Sequence, residues 1–135
     1  GGADMVRFKN RYLLAEIHWK DNLNDPNLTG KAIVKAIRRA ASFLLGDFGG
    51  AILNHSMHVK YVNTGTNFCL VRVSRDHLRM AWTAMTLVTA IEDREMLFNV
   101  VHVGGTIRSC RKAALARDRK ILALLGNAEE DGENE

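Results

Sequence analysis

The sequence predicts a single α/β domain, an α+β sandwich with element order βαββαβ and an additional C-terminal helix. Three observations carry this expectation. Apolar side chains alternate at a period of two in Leu13–Trp19, and strand-like segments flank the turn signal Asn63-Thr64-Gly65. Apolar residues recur at helical spacing in three other stretches, each with a polar or basic opposite side. At 135 residues, the chain is long enough to bury one core without disulfide or metal staples.

In chain order, Gly1-Gly2-Ala3-Asp4 reads as an expression scar, with Met5 as the natural start and 5–128 as the domain. Arg7, Lys9 and Arg11 alternate, so an extended backbone points all three the same way. They form either a basic arm or the solvated charges of an edge strand. The strand that follows puts Leu13, Ala15, Ile17 and Trp19 on one face and Tyr12, Leu14, Glu16 and His18 on the other. Lys20–Leu28 is a polar loop with the only proline, Pro26.

A helix is expected from about Thr29 to Leu45, ended by Gly46. Ile33, Ile37, Ala40, Ala41 and Leu44 make its apolar stripe. Lys31, Lys35, Arg38 and Arg39 line the other side, either as a polyanion contact or as a solvated face. Phe48-Gly49-Gly50 then leads into a strand over about Ala51–Val62, which pairs with Asn67–Ser74 as a hairpin. Ser74 or Asp76 can cap a second helix whose core face is Leu78, Ala81, Trp82, Met85 and Val88. A charged loop, Glu92–Glu95, follows.

The last stretch, Phe98–Leu125, begins as an apolar, β-branched strand and stops at Gly104-Gly105, where two glycines permit a sharp, close-packed turn. Thr106 can cap the helix that follows. Ile107, Cys110, Ala114, Ile121 and Leu125 fall on one side of that helix. Arg108, Lys112 and Arg119 fall nearly opposite, with Arg111 and Lys120 at the margins. The turn is either a plain connection or a seat for phosphate, built from helix N–H groups and guanidinium groups. The whole order is the split βαβ, ferredoxin-like arrangement that the RNA-recognition motif also uses.

The net charge of +4 is unevenly spread. EEDGENE at 129–135 holds five of the fifteen acids, so residues 1–128 carry nineteen basic residues against ten acidic ones, a balance of +9. A body that basic favours a polyanion, with nucleic acid ahead of membrane because no amphipathic anchor or spanning segment is evident. The acidic tail reads as disordered. Cys69 and Cys110 lie inside apolar patterns and fit no zinc spacing, which points to buried reduced thiols in a cytosolic or nuclear protein.

No catalytic or metal site is expected. His55 and His58, three apart on a predicted strand, would point to opposite faces. His18, His58 and His102 share the open sheet face, where polar residues beneath a partner explain them as well as acid–base chemistry does. Glu92, Asp93 and Glu95 lie in one loop and do not converge from separate elements as a two-metal site requires. The third strand offers Phe68 as its only aromatic, which disfavours base stacking on the sheet. Tyr12, Leu14 and Phe68 on that open face are expected to need a covering partner.

MVRFKNRYLLAEI near the start and FNVVHVGGTIRSCRK near the end together resemble the Pop-five type protein subunit of ribonuclease P and ribonuclease MRP. The resemblance extends over Met5–Gly126. The related fourteen-kilodalton subunit shares the fold but fits both motifs less well. The resemblance implies a subunit that is not itself the catalyst. Such a subunit binds and stabilises a structured catalytic RNA that removes 5′ leaders from precursor tRNA, or processes rRNA in the MRP form. Precursor tRNA is then met only indirectly, and Mg²⁺ belongs to the RNA, leaving this chain without a cofactor.

The implied protein partners are a TIM-barrel-like subunit and the fourteen-kilodalton relative, or a second copy. The implied location is the nucleus and nucleolus, with no membrane contact. The motifs assign Arg7, Lys9, Arg11, Gly104, Gly105, Thr106 and Arg108 as RNA-facing or site-shaping, and charge adds Arg111 and Lys112. The alternative is a stand-alone ferredoxin-like RNA-processing enzyme or small-molecule regulatory domain. That would need a concave apolar pocket with convergent polar groups, which the sequence does not display.

Overall fold

In the computed structural model, which describes residues 9–117, the fold is built outward from β1 (Asn10–Trp19). Its side chains alternate, and both faces are buried. Leu13, Ala15, Ile17 and Trp19 enter one apolar cluster, while Tyr12 and Leu14 enter another. A strand apolar on both faces must sit in the middle of a sheet with something packed on each side. The rest of the chain supplies both layers.

After β1 come α1 (Gly30–Ser56), β2 (Met57–Asn63), β3 (Phe68–Ser74), a 3₁₀ turn (Arg75–His77) and α2 (Leu78–Leu87). A two-residue β4 (Ala90–Ile91), β5 (Arg94–Gly104) and α3 (Ile107–Arg117) complete the order. The strands form one antiparallel sheet in the order β2-β3-β1-β5-β4. This is the expected βαββαβ arrangement, with β4 and α3 added. Helices α1 and α2 cover the face of Leu13, Cys69, Val71 and Val73, contributing Ile33, Ile37, Leu53, Ala81 and Met85. On the other face, Ile107, Cys110 and Ala114 of α3 pack onto Tyr12, Leu14, Phe68 and Leu70.

That second layer corrects one expectation: Tyr12, Leu14 and Phe68 are buried beneath α3 and do not wait for a partner. A further correction concerns α1. Gly46 bends the helix, at φ +83°, and does not end it; 47–56 is helical, so the strand expected from Ala51 starts only at Met57. Arg38 Nη1 donates to Asn54 Oδ1 at 3.3 Å, although sixteen residues of straight helix would part them by about 24 Å. The two arms of α1 therefore fold back on each other. Gly50 allows this, because a Cβ there would stand 1.9 Å from Ser42 Oγ and 3.3 Å from the Arg38 carbonyl oxygen.

Around the bend, large apolar residues lie outside the core, among them Leu44 of the expected stripe. Leu44 is exposed, Phe43 is 93% exposed and Phe48 78%. Trp82 of α2 is 42% exposed and does not join the core, where Ala84 is buried. Neither Ser74 nor Asp76 caps α2 through its side chain; the 3₁₀ turn intervenes, and His77 occupies the N-cap position with its ring bonded to Ser56 Oγ and not to the helix. The charged loop shrinks to Glu92-Asp93. Both residues have positive φ (49° and 68°), as a two-residue hairpin turn requires, and Glu95 joins β5.

Candidate nucleic-acid interface

The register of β1 gathers the expected residues at one end of the sheet. Tyr12 lies opposite Gly104 on β5 and opposite Arg72 on β3, while His58 on β2 lies opposite Arg72. Beyond the last paired residues, Arg75 N–H donates to the Lys9 carbonyl at 2.8 Å, bringing the exposed Lys9 and Arg75 side by side. Arg11 is half-buried, and its Nη1 donates to the Asn10 carbonyl at 2.9 Å. Its guanidinium passes over Gly105, 3.7 Å from where a Cβ would stand. Arg7 lies outside the described residues, as do Arg119, Lys120, Ile121, Leu125, the first four residues and the acidic tail at 129–135.

Thr106 caps α3 as expected. Its Oγ1 accepts from Ser109 N–H at 3.1 Å, and its carbonyl accepts from Ser109 Oγ at 2.9 Å. The remaining first-turn N–H groups have no partner four residues back within the helix, so they carry the positive end of its dipole beside Arg11. The first turn of α3 contains no acid. Arg108 is exposed on that turn, Lys112 is exposed one turn further, and Arg111 is half-buried on the flank with its Nε enclosed. At the far end, Arg117 reaches Glu16 Oε1 at 3.7 Å, and His18 Nε2 approaches the same oxygen at 3.1 Å.

The two glycines differ in kind. Gly104 is closely packed: a Cβ would lie 1.8 Å from Ser109 Oγ and 3.0 Å from His102 Nε2, so any side chain there forces its neighbours to move. Gly105 faces open space apart from Arg11 and does not have a positive φ. The close-packed turn inferred from the sequence is therefore a property of Gly104, while Gly105 leaves the helix N-terminus uncovered. The Arg11 guanidinium over Gly105, the α3 N-terminus, Arg108 and Lys112 thus follow one another along the β5–α3 turn and the first turns of α3, a cationic stretch next to free helix N–H groups.

The histidines do not converge. His55 belongs to the last turn of α1, so its expected strand position is incorrect. His58 and His102 are separated by three inter-strand steps, about 14 Å, and His18 sits at the opposite end of β1 from the cationic stretch. Among the described residues, no group of three His, Cys, Asp or Glu side chains could hold a metal. Glu95 pairs with Lys20 at 2.7 Å. Asp21 binds Arg94 at 2.9 Å, and Arg94 stacks 4.2 Å over Trp19. The Leu23 N–H donates to Asp21 Oδ1, and that bond, followed by the pairing with Arg94, holds the Asp21 carboxyl below its usual range.

Residues 11–115 match the model of the Rpp14/Pop5 family. The chain belongs to that family. The matched span runs from Arg11 to within α3, so it contains the turn, the cap and the helix cations while leaving Lys9 just outside. A probable ribonuclease P/MRP protein subunit POP5 of Dictyostelium discoideum is 38% identical over 111 residues. The alignment covers 82% of this chain and 65% of that protein, so this chain spans just under two thirds of the Dictyostelium relative. The ribonuclease P/MRP protein subunit POP5 of Mus musculus is 35% identical over 136 positions, covering 97% of this chain and 80% of the mouse protein. One chain in the cryo-EM structure of yeast ribonuclease MRP shares the fold, with a TM-score of 0.55 at 8% identity. That match covers 88% of this chain and 98% of the yeast one.

Sequence reasoning missed Arg72 and Arg75 as members of the same cationic end, and His58 as their neighbour there. Each looks like an ordinary strand or turn residue until the β2-β3-β1 register is known. A weak signal was available in Arg75, which directly follows its strand as Lys9 directly precedes β1.

Proposed function

We propose that this Rpp14/Pop5-family chain is a non-catalytic protein subunit of a ribonuclease P/MRP ribonucleoprotein and binds the backbone of its structured RNA. The observation that carries the reading is the cationic seat at the start of α3, with the Arg11 guanidinium over the uncovered Gly105 and Arg108 and Lys112 on successive turns. Lys9, Gly104, Thr106, Arg111 and Arg7 complete the proposed RNA-facing set, as contacts or as shapers of the turn. The RNA of the particle, with its Mg²⁺, performs cleavage of precursor tRNA or rRNA, and this chain needs no cofactor. Nuclear and nucleolar location follows from membership of such a particle.

A TIM-barrel-like subunit and a family relative are the proposed protein partners. Support for a protein contact comes from the bend of α1, where Phe43 and Phe48 stand almost fully outside the domain.

The test is binding to ribonuclease P RNA of the same organism, transcribed in vitro, across a salt series. The variant Arg108→Ala/Lys112→Ala is expected to bind more weakly, with the slope of log K against log salt shrinking by about 0.7–0.9 for each phosphate no longer neutralised. Its stability should stay within about 0.5 kcal/mol of wild type, because both side chains are exposed. A wild-type salt slope in the folded variant would remove α3 from the RNA surface.

A further inference from the structure

The first arm of α1 carries Lys31, Lys35, Arg38 and Arg39 and no acidic residue. Lys31 lies in its first turn, where the helix dipole disfavours positive charge, and Lys35 follows one turn on, so solubility alone does not account for Lys31 there. Lys31, Lys35 and Arg38 recur at spacings of four and three and share one side of the helix.

That side does not simply face solvent. The folded-back second arm and the edge strand β2 make it one wall of a cleft of about 830 Å³, lined also by Asn54, His58 and Val59. Asn54 holds Arg38 in place through the 3.3 Å bond between the arms. Among the described residues, no carboxylate lies within ion-pair distance of Lys31, Lys35 or Arg38, although Glu92 lines one end of the cleft. His58 lies at the same end of the sheet as the α3 seat. It is separated from Gly104 by three inter-strand steps through Arg72 and Tyr12, about 14 Å.

We propose that this cleft, walled by Lys31, Lys35 and Arg38 with Asn54 and the edge of β2, is a second RNA-backbone site, taking phosphates of the same folded RNA at a place separate from the α3 seat. The inference rests on the RNA-binding reading above. Cations on a preset helix face, one of them fixed by an amide, fit phosphate oxygens. A protein partner would call instead for large apolar anchors, and the exposed aromatics Phe43 and Phe48 are at the bend, not among these lining residues.

Directed hydroxyl-radical probing separates the two sites. The chain's only cysteines, Cys69 and Cys110, are buried, so a Lys31→Cys or Lys112→Cys variant has one accessible thiol for an iron–EDTA tether. With ribonuclease P RNA of the same organism, each variant is expected to cut its own tract. If Lys112→Cys cuts and Lys31→Cys does not, the second site is refuted and the first stands. If neither cuts, both fail.

A second variant, Lys31→Glu/Lys35→Glu, is expected to weaken binding about tenfold or more at low salt while its melting temperature stays at or above wild type. Acids near the helix N-terminus favour the helix, so binding and stability should move in opposite directions. Unchanged affinity in that variant overturns the proposal.

Discussion

A methyl group at position 104 tests the joint between β5 and α3. In Gly104→Ala the new Cβ would stand 1.8 Å from Ser109 Oγ and 3.1 Å from Ser109 Cβ, against the ~3.5–4.0 Å of optimal contact between carbon atoms. Rotating the Ser109 hydroxyl away relieves the first overlap but breaks its 2.9 Å bond to the Thr106 carbonyl, a loss of about 0.5–1.5 kcal/mol. The Cβ overlap remains, because no rotation moves Ser109 Cβ. Helix α3 must then shift and disturb Ile107, Cys110 and Ala114, at the roughly 1–3 kcal/mol typical of overpacking. The expected total is about 2–4 kcal/mol.

Gly105→Ala is the control. Its Cβ meets only the Arg11 guanidinium, at 3.7 Å, and its φ is not positive, so stability should change by less than about 0.5 kcal/mol or rise slightly. Urea unfolding followed by far-UV circular dichroism measures both. In the double variant Gly104→Ala/Ser109→Ala, the hydroxyl overlap is gone, and a coupling of about 1 kcal/mol is expected. Equal losses at Gly104 and Gly105, or a Gly104→Ala protein as stable as wild type, would refute the packing argument.

Two other outcomes follow from the sheet. Burial, then Arg72 and then Lys60, hold the His58 imidazole below its ordinary value of 6.5. The unfolded chain takes up this proton at higher pH, so the group's contribution is fully present above 6.5 and is lost as pH falls from there through the folded value. An NMR titration should find its midpoint below 6.5 and moving upward in Arg72→Ala; a wild-type midpoint at or above 6.5 would contradict this. Burial also pushes the Cys69 thiol up to about 12, and Cys110 is fully enclosed between α3 and the sheet, so at pH 8 neither should react with a thiol reagent in the folded protein. In rising urea, Cys110 should label before Cys69, because undocking α3 exposes it while the main core still covers Cys69. Immediate labelling of either thiol would count against that burial.

The element order was legible because periodicity reports burial directly. Leu13 to Trp19 alternate because β1 is the central strand, and Ile33, Ile37 and Ala41 fall on one helical face because α1 lies across the sheet. What periodicity cannot report is which element covers a face. Both sides of β1 were visibly apolar, yet the layer over Tyr12 and Leu14 comes from a helix some ninety residues further on. Gly46 was misread for a related reason. A glycine after an apolar helical stripe marks a stop and a bend equally well, and only contacts between the two arms, Gly50 with Ser42 and Arg38 with Asn54, distinguish them. At the candidate site, the Gly104–Arg108 turn was legible because its chemistry is local. Arg72, Arg75 and His58 reach that end only through cross-strand register.

The position of α3 also constrains how this domain could read RNA. In the RNA-recognition motif, bases stack on aromatics of an open sheet face. Here Phe68 and Tyr12, on that face, are packed under Ile107, Cys110 and Ala114. Stacking there would require α3 to leave and expose an apolar cluster that includes Leu14 and Leu70, which is costly while the helix stays capped by Thr106. The cations, by contrast, lie around the rim: Lys9, Arg11 and Arg75 at the strand ends, Arg108 and Lys112 on the outer side of α3, and Lys31 and Lys35 on α1. On the RNA-binding reading proposed above, a rim of cations around a closed sheet favours phosphates over stacked bases. Selectivity on this surface would therefore come from the folded shape of the RNA, through the spacing of phosphates that two separated seats can accept together.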